Sequence, residues 1–550
     1  MQARSVAVPF HEESMARPRF LLSAALVATM AFAGHPFAAP ALSFRPVSID
    51  LPGPPAALVP VDLDDDDRVD LFVVLVYTEY DEITFEQTEG FVQMTEIVPA
   101  LFERREARAY LQQPDGSYDQ AGEPMRMPRS VLAIAAGPPG LPLIALTDEG
   151  VGEVRLAARE GGPAIRIDPL IADRPVLRGA GSFLPRLDLV RDLDGDGAPD
   201  LLLPAVDGPA VYRATGGGLD TVPAARLVLP GDTSGLERGA WRRYPLPRVE
   251  DVDGDGRPDL LLVDPDSPGS AITVLLGTGG GGFSAPLGIS TRCLRRGESV
   301  RGTPELAFFG DLDGRGRAEA VLRTELESEK GVIKGAKRPH YLYQFHRLRE
   351  DLTLEPTPYR ETEIVGYEFG TEWPRSTGGE FRDLDGDGRK DLVTVTLDFS
   401  MFQILRILAT KRLGIGLKFH VWSQGPDGRF VESSREQLED KLLLDFNDLK
   451  LDRLDHFTGD FDGDGRIDFI SLKRSKKLAI HLGRPGSMYG TKPDVRLTLK
   501  EKPRDMALVR VLDLNGDGRA DLAVTNPLPA EEDGATAPVR LDVYFSEVAR

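Results

Sequence analysis

The stretch Asp383-Leu384-Asp385-Gly386-Asp387-Gly388-Arg389-Lys390-Asp391 is followed by the apolar run Leu392-Val393-Thr394-Val395. Carboxylates stand at its first, third, fifth and ninth positions, and glycines at its fourth and sixth. Calcium takes about six to eight oxygen ligands in a chain that turns sharply around the ion, and glycine permits such a turn. The stretch therefore predicts a cation-binding loop that leads into a buried strand.

The loop differs from an EF-hand at its twelfth position, counted from the first aspartate. An EF-hand carries a bidentate glutamate there and continues as a helix. This loop has Thr394 at that position, and its near-copies have valine, leucine or serine. We therefore expect a strand to leave the loop, and the acid at position 9 to close the site.

Seven such loops divide the chain into repeats. They begin at Asp62, Asp192, Asp251, Asp311, Asp383, Asp460 and Asp513, with intervals of 130, 59, 60, 72, 77 and 53 residues. Recurrence at this spacing indicates a solenoid, a propeller or another array. The interval of 130 residues spans about two repeats, so we expect one repeat without a loop inside it, with strands at 130–136, 143–147, 152–158 and 164–169.

Each repeat has the pattern of four short strands. Around Asp251, apolar segments at 260–263 and 271–276 follow the loop, and a glycine-rich turn leads to Phe283. Four short strands per repeat are typical of a β-propeller blade. The sequence therefore predicts an all-β chain with a single propeller domain at 42–550, made of eight four-stranded blades. Seven blades with one separate repeat is the alternative.

The last repeat ends one strand short, and the strand-like segment at 42–51 precedes the first loop without a partner of its own. We expect this segment to complete the final blade and close the propeller. Three insertions interrupt the strand pattern and have helical spacing, at 94–102, 401–413 and 434–444.

Composition and the N-terminal segment indicate an exported protein. The 550 residues carry a formal net charge of -21, which argues against nucleic-acid partners. Arg17, Arg19 and the apolar segment 20–33 resemble a signal peptide. We therefore expect residues 1–33 to be an upstream extension (1–14) and a signal peptide that starts at Met15, the mature chain to begin near Gly34, and the product to be secreted or periplasmic. Cys293 is the single cysteine, which excludes an intramolecular disulfide, and no later apolar run is long enough to span a membrane. We expect a monomer.

The seven in-phase loops resemble those of FG-GAP and VCBS-type repeat proteins, the bacterial relatives of the integrin α-subunit propeller, whose blades carry D-x-D-x-D-G-x-x-D-L calcium loops. The resemblance covers nearly all of the chain after the signal segment. It implies a propeller with calcium held by carboxylates at positions 1, 3, 5 and 9 and by the backbone carbonyl of position 7.

Six loops keep a complete set of oxygen side chains at those positions. Carried onto this sequence, the ligand sets are Asp192, Asp194, Asp196 and Asp200; Asp251, Asp253, Asp255 and Asp259; Asp383, Asp385, Asp387 and Asp391; Asp460, Asp462, Asp464 and Asp468; Asp513, Asn515, Asp517 and Asp521; and Asp62, Asp64, Asp66 and Asp70. Asn515 lowers the charge of its loop, while Asp65 and Asp67 replace the two glycines in the Asp62 loop. The resemblance implies about five or six Ca²⁺ ions.

The Asp311 loop departs from the pattern. Arg315 stands at position 5 and Glu319 at position 9, so a guanidinium replaces a ligand oxygen. We expect Arg315 to pair with Asp311 and Asp313 and the loop to hold no ion.

No catalytic motif accompanies the loops. The histidines lack a metal-ligand spacing, and no Gly-x-Ser-x-Gly sequence is present. The sequence therefore favours an exported calcium-binding propeller that serves as a recognition scaffold for a protein or glycan ligand, with calcium in a structural role. A polysaccharide lyase or hydrolase is the alternative, because eight-bladed calcium-containing propellers also include polysaccharide-cleaving enzymes. A purely structural module in a surface assembly is a third possibility.

Overall fold

The computed structural model describes residues 42–53, 55–78, 103–128, 130–135, 143–159, 162–175, 189–205, 207–215, 218–227, 247–262, 272–291, 294, 304–326, 336–369, 381–398, 412–433, 438–445, 450–451, 456–472, 476–503, 509–528 and 538–548. Residues Leu42–Arg550 belong to one compact unit. The described residues form strands joined by turns, with helical backbone at 336–337 only. The all-β prediction is confirmed.

The N-terminal part contains the first loop and the predicted repeat without one. Its strands are β1 (Leu42–Leu51), β2 (Pro55–Val61), β3 (Asp70–Thr78), β4 (Glu103–Gln112), β5 (Tyr118–Arg126), β6 (Val131–Ala135), β7 (Leu143–Thr147), β8 (Val151–Ala157) and β9 (Ala164–Ile171). β2 to β5 pair in sequence order, and so do β6 to β9. The second set confirms the repeat expected inside the long interval. A parallel contact between Glu123 and Ala164 joins the two sets into one sheet of eight strands.

The next three repeats contain the Asp192, Asp251 and Asp311 loops. Their strands are β10 (Val190–Arg191), β11 (Asp200–Leu203), β12 (Ala210–Tyr212), β13 (Ala214–Thr215), β14 (Gly218–Leu219), β15 (Ala225–Arg226), β16 (Arg248–Glu250), β17 (Asp259–Leu262), β18 (Ile272–Leu275), β19 (Gly277–Gly279), β20 (Gly282–Phe283), β21 (Leu287–Ile289), β22 (Glu305–Gly310), β23 (Glu319–Glu325), β24 (His340–Arg347) and β25 (Arg360–Val365). Each repeat has a four-stranded antiparallel sheet, in the orders β10-β11-β12-β15, β16-β17-β18-β21 and β22-β23-β24-β25.

The C-terminal part contains the last three loops. Its strands are β26 (Tyr367–Glu368), β27 (Phe381–Arg382), β28 (Asp391–Asp398), β29 (Arg412–Gln424), β30 (Phe430–Glu432), β31 (Leu438–Asp445), β32 (Lys450–Leu451), β33 (Phe469–Ser471), β34 (Lys477–His481), β35 (Val495–Thr498), β36 (Val509–Leu512), β37 (Asp521–Pro527) and β38 (Val539–Val548). The Asp383 repeat has a seven-stranded sheet, and the Asp460 repeat has three strands in the order β33-β34-β35.

In six repeats, the loop lies between the first two strands of the sheet, and an apolar strand follows it. β11 and β17 have the sequence Asp-Leu-Leu-Leu, and all four residues of each are buried. A short apolar run buried on both faces is the pattern of a central strand. In these six repeats the first residue of this strand is position 9 of the loop, so the strand fixes one carboxylate of the loop.

The N-terminal strand completes the sheet of the last repeat. β1 pairs with β38 along its whole length, from Leu42 opposite Val548 to Leu51 opposite Val539, and the sheet order is β1-β38-β37-β36. The expectation that 42–51 supplies the missing strand is confirmed.

In the part of the chain that the structure describes, eight apolar clusters connect the repeats. Each contains buried side chains from two successive repeats. Six of them form a series that begins with the cluster between the loop-less and Asp192 repeats and ends with the cluster between the Asp460 and Asp513 repeats. Leu514 and Ala523 of the last repeat pack with Leu58 and Leu71 of the first. The eighth cluster joins the first repeat to the loop-less one.

One of the three predicted helices is wrong, and a second is wrong in part. Residues 438–445 form β31, which pairs with β29. Leu438 and Leu442 are buried four positions apart, a spacing that places two residues on one face of a strand as well as of a helix. Arg412 and Leu413 belong to β29 rather than to a helix end. Residues 94–102, 401–411 and 434–437 lie outside the described residues.

Replacing Leu51 by alanine tests the role of β1. Leu51 is 1% exposed in the cluster that joins the last repeat to the first. We expect Leu51→Ala to lower the free energy of unfolding by about 2–5 kcal/mol, measured by urea denaturation. Its neighbour Asp50 is exposed and pairs with Arg540 at 3.2 Å. Asp50→Ala is the control, with an expected effect below about 1 kcal/mol. Equal losses in the two variants would contradict the assignment.

Candidate cation-binding loops

The aspartate at position 1 holds the loop in its turn. In the Asp383 loop, Asp383 accepts hydrogen bonds from the amides of Gly386 at 2.7 Å and Gly388 at 2.8 Å. The same pair of bonds occurs in the loops at Asp192, Asp251, Asp311, Asp460 and Asp513, at 2.7 to 2.9 Å. The glycines at positions 4 and 6 have φ angles of 73° to 84°, in the region that glycine enters most easily.

The Asp62 loop forms a similar turn without glycine. Asp65 and Asp67 adopt φ angles of 59° and 63°. Aspartate tolerates this region better than most residues. The Asp62 carboxylate accepts the amides of Asp66, at position 5, and Asp67, at position 6, at 3.3 and 3.0 Å. The position-6 contact of the other loops is therefore kept at slightly greater length.

The aspartate at position 9 joins the loop to the sheet. Asp468 accepts hydrogen bonds from the Phe461 amide in its own loop and from the Gly483 amide beyond β34, both at 2.8 Å. The equivalent pairs of bonds are made by Asp70, Asp200, Asp259, Asp391 and Asp521. All six aspartates are at most 2% exposed.

Burial raises the pKa of these position-9 carboxyls. The pKa rises to about 6 at Asp70, Asp391 and Asp521, and to about 8 at Asp468. The neighbouring carboxylates of the loop raise it further, while the backbone donors lower it. A nearby cation would offset this unfavourable charge.

Five loops bring three carboxylate oxygens together. The clusters are Asp62, Asp64 and Asp66; Asp192, Asp194 and Asp200; Asp251, Asp253 and Asp255; Asp383, Asp385 and Asp391; and Asp460, Asp462 and Asp464, and in each the three oxygens lie within 4.8 Å of one another. Within the described residues, the Asp513 set forms no such three-acid cluster. Asp385 Oδ1 and Asp462 Oδ1 are buried without a hydrogen-bond partner. Hard oxygen ligands and unpartnered carboxylate oxygens fit a calcium ion.

An arginine at position 7 pairs with the aspartate at position 5 in five loops. The pairs are Arg68 with Asp66, Arg257 with Asp255, Arg389 with Asp387, Arg466 with Asp464, and Arg519 with Asp517. The second oxygen of each position-5 carboxylate accepts the amide of position 7. The arginine lowers the negative charge at the outer end of these loops.

The Asp192 loop has a different internal cation, which the sequence analysis missed. Position 7 is Ala198, and Arg213, at the end of the following hairpin, enters the loop instead. Arg213 Nε lies 2.7 Å from Asp194 Oδ2, and its Nη2 lies 3.6 Å from Asp196. The Asp194 side chain is 2% exposed beneath it. The absence of arginine at position 7 is the one sequence signal that sets this loop apart.

The Asp311 loop carries its own cation, as expected. Arg315 Nε lies 3.1 Å from Asp313 Oδ2, which confirms that pairing. Its contact with Asp311 is made by the Arg315 backbone amide, at 3.2 Å. Burial raises the pKa of Glu319, at position 9, to about 7. Glu319 Oε2 is buried without a hydrogen-bond partner.

Neighbouring loops are joined by backbone hydrogen bonds. The position-8 amide of one loop donates to a carbonyl at position 1 or 2 of the preceding loop. These bonds run from Ala318 to Val252 at 3.0 Å, from Lys390 to Leu312 at 2.9 Å, from Ile467 to Leu384 at 2.9 Å, and from Ala520 to Asp460 at 2.7 Å. The Tyr118 hydroxyl lies 3.3 Å from both the Leu514 and Val69 carbonyls, so it joins the last loop to the first.

A histidine outside the loops has two polar side-chain neighbours. His420 Nε2 lies 3.0 Å from Thr396 Oγ1, and its Nδ1 lies 2.6 Å from Glu432 Oε1. The order hydroxyl, imidazole and carboxylate is that of an activated nucleophile. Thr396 is 2% exposed, however, so its hydroxyl is closed to a substrate, and the contacts connect β28, β29 and β30.

Two parts of the chain match a known repeat family. Residues 251–322 and 460–524 match the model of the FG-GAP-like repeat. The protein contains FG-GAP-like repeats. The matched segments include the Asp251, Asp311, Asp460 and Asp513 loops.

Comparison with whole proteins adds little to the family match. No curated protein matches this chain. Solved structures that resemble it include an Agrocybe aegerita lectin that recognises non-reducing terminal N-acetylglucosamine, with 14% identity over 58% of this chain and 89% of the lectin and a TM-score of 0.23. A Lactobacillus plantarum protein has 9% identity over 78% and 96% of the two chains, with a TM-score of 0.26. A Zobellia galactanivorans family 117 glycoside hydrolase has 10% identity over 51% and 72%, with a TM-score of 0.17. Similarities this weak indicate neither ligand nor activity.

In the described part of the chain, no helix has the length and apolar character of a membrane span.

Glu319 gives the Asp311 repeat a pH-dependent stability. Its pKa in the folded chain is about 7, above the usual value of 4.5. The folded state therefore holds this proton more tightly than the unfolded state does. The resulting stabilisation is complete below about pH 4.5 and is lost as the pH rises through about 7. It amounts to about 3 kcal/mol.

Urea denaturation of Glu319→Gln between pH 5 and pH 8 measures this contribution. We expect the variant to lose less stability than the parent as the pH rises. Glu363→Gln, at an exposed position on β25, is the control and should follow the parent. A parallel fall in Glu319→Gln and the parent would contradict the assignment.

Proposed function

We propose that this chain is a closed eight-bladed β-propeller in which the Asp-rich loops bind structural calcium, and that it is exported and serves as a recognition scaffold for a protein or glycan ligand. The observation that carries the proposal is the recurrence of one loop geometry in seven repeats, with three carboxylate oxygens brought together in five of them. Mutual contact of buried carboxylates is unfavourable, and a divalent ion offsets it.

The closed propeller is supported by the order of the apolar clusters. Eight clusters join eight repeats in succession, and one of them joins the last repeat to the first. Every repeat therefore has two neighbours, as a blade has in a ring. β1 adds a second link between the same two repeats. It directly precedes the first repeat in the sequence and pairs with β38 in the sheet of the last repeat.

The ligand positions have different roles in the proposed binding of calcium. Position 1 is fixed by the amides of positions 4 and 6, and position 9 by one loop amide and one strand amide. Position 3 carries the oxygens with the fewest competing donors, of which Asp385 Oδ1 is an example. The ion supplies charge neutralisation, while the chain supplies fixed oxygens on a rigid sheet. The six complete sets named from the sequence remain the predicted ligands.

A recognition role is favoured by the repeat family and by the placement of the loops within the scaffold. The catalytic alternative needs reactive groups open to a substrate. The one relay found in the described residues, Thr396 with His420 and Glu432, has a buried hydroxyl. The ligand chemistry is proposed as protein or glycan on the basis of the family resemblance alone.

Chelation tests the calcium part of the proposal, and a binding screen tests the recognition part. We expect EDTA to lower the Tm and calcium to restore it, because an ion at a hundredfold excess over its Kd adds about 2.7 kcal/mol per site. Magnesium at equal concentration should restore less, because it demands a smaller octahedral site. Glycan arrays and polysaccharide digestion assays with the calcium-loaded chain should give binding without cleavage. An unchanged Tm would contradict the calcium model, and polysaccharide cleavage would favour the alternative.

Arg213→Gln tests whether Arg213 competes with an ion in the Asp192 loop. Removal of the guanidinium leaves Asp194 and Asp196 without their cationic partner, so calcium affinity of this loop should rise by about tenfold or more. Arg226 lies in the same repeat and pairs with Asp173 at 2.8 Å, outside the loop. Arg226→Gln is therefore the control. Calorimetric titration with calcium that shows no new or tighter site in Arg213→Gln would contradict the competition.

A further inference from the structure

The Asp383 loop is contacted by a turn from the following repeat. Residues 484–488, between β34 and β35 of the Asp460 repeat, form this turn, which we name the 484–488 turn. Its Gly486 amide donates to Asp385 Oδ2 at 2.5 Å, and its Ser487 hydroxyl donates to Asp391 Oδ2. Two ligand candidates of one repeat are thus held by the next.

The 484–488 turn is itself held in place. Arg484 and Met488 exchange backbone hydrogen bonds of 3.0 and 3.3 Å across its base. The Ser433 hydroxyl, after β30 of the Asp383 repeat, donates to the Ser487 carbonyl at 2.9 Å. Ser487 is 1% exposed and has a φ angle of 49°. The turn therefore lies against the Asp383 repeat with its hydroxyl directed at the loop.

An independent observation points to a cation beneath this turn. Asp385 is 9% exposed, and its Oδ1 is buried without a hydrogen-bond partner. A buried carboxylate oxygen without a partner is strongly unfavourable. This residue contributes to the cluster with Asp383 and Asp391, whose oxygens lie within 4.8 Å of one another. A cation in the cluster would satisfy the unpartnered oxygen.

The contacts of Asp391 leave room for one more partner. Its carboxylate accepts the Gln424 amide at 2.8 Å, the Leu384 amide at 3.3 Å and the Ser487 hydroxyl. A carboxylate has about four lone-pair directions. Three donors therefore fix its orientation and leave about one direction for an ion. Ser487 acts on the ion through Asp391 and is a positioning residue.

We propose that the Asp383 loop and the 484–488 turn together form a two-repeat calcium site, in which the turn encloses the ion. This inference rests on the proposed calcium function and adds that the loops differ in how fast they release calcium. An ion at this site leaves only after the turn moves away from Asp385 and Asp391. The site therefore releases calcium more slowly than the more open Asp251 loop, whose position-3 residue, Asp253, is less buried.

Release kinetics test the two-repeat site. The calcium-loaded full chain is mixed in a stopped-flow instrument with excess fluorescent chelator, and the released ions are counted in each phase. We expect one ion in the slowest phase. Asp385→Asn should abolish that phase, whereas Asp253→Asn should remove an ion from a faster one. Ser487→Ala should accelerate the slow phase by about tenfold, a factor equivalent to about 1.4 kcal/mol.

Two further variants serve as controls for the release experiment. Ser487→Gly also removes the hydroxyl, and glycine adopts a φ angle of 49° easily. This variant should therefore keep the turn even if the Ser487→Ala variant does not fold. Its slow phase should accelerate as well. Thr498→Ala, at an exposed position on β35, alters the same hairpin away from the loop and should leave every phase unchanged. An unchanged slow phase in Ser487→Gly, or a slow phase that survives Asp385→Asn, would overturn the two-repeat site and leave the calcium function standing. Absence of any released ion would overturn the calcium function itself.

Discussion

The contact on which the rest of the structure depends is the buried position-9 carboxylate bound to two backbone amides. One amide lies at position 2 of the loop and the other lies beyond the neighbouring strand, so a single side chain fixes the loop against the sheet. Five of the six aspartates that make this contact are also the first residue of the buried strand that follows the loop, and Asp468 immediately precedes its strand. Loss of this carboxylate would leave two buried amides unpaired, each at about 1–3 kcal/mol. Fold and candidate ion site thus depend on the same atoms.

Contacts between loops extend this local arrangement from repeat to repeat. The position-8 amides of four consecutive loops donate to the preceding loop, and the Asp311 loop, with its internal arginine, belongs to that series. A loop that holds its own guanidinium therefore makes the same contacts between repeats as the loops proposed to bind calcium. The Asp251 loop has Pro258 at position 8, which lacks an amide hydrogen and cannot donate to the Asp192 loop. The Asp192 loop, with Arg213 inside it, stands apart from the others on two counts.

The sequence predicted those features that recur or that follow from short-range pattern. The loop geometry, the loop-less repeat and the pairing of 42–51 with the last repeat all belong to this class, because each is specified by spacing or by a missing strand. The helix expected at 434–444 was wrong because leucines four positions apart suit a strand face as well as a helix face. Arg213 and the 484–488 turn were missed because their contacts join residues distant in the sequence, and a single arginine or serine carries no signal of its partner. The ions themselves remain a prediction from the pattern.

The pairing of β1 with β38 has a consequence for how the chain folds. Ser43 and Glu547 are 504 positions apart, yet they are joined by a hydrogen bond in this sheet. Each doubling of a closed loop costs about 0.6 kcal/mol of chain entropy, so this closure costs about 3 kcal/mol more than that of a hairpin of about ten residues. Contacts of such high sequence separation are slow to form, because the loop-closure entropy is lost before the contacts compensate for it. Until β38 has been synthesised, β1 lacks the strand with which it pairs, and an unpaired strand edge is a template for association with another chain. Chaperone protection during synthesis would therefore matter most for the edge of β1.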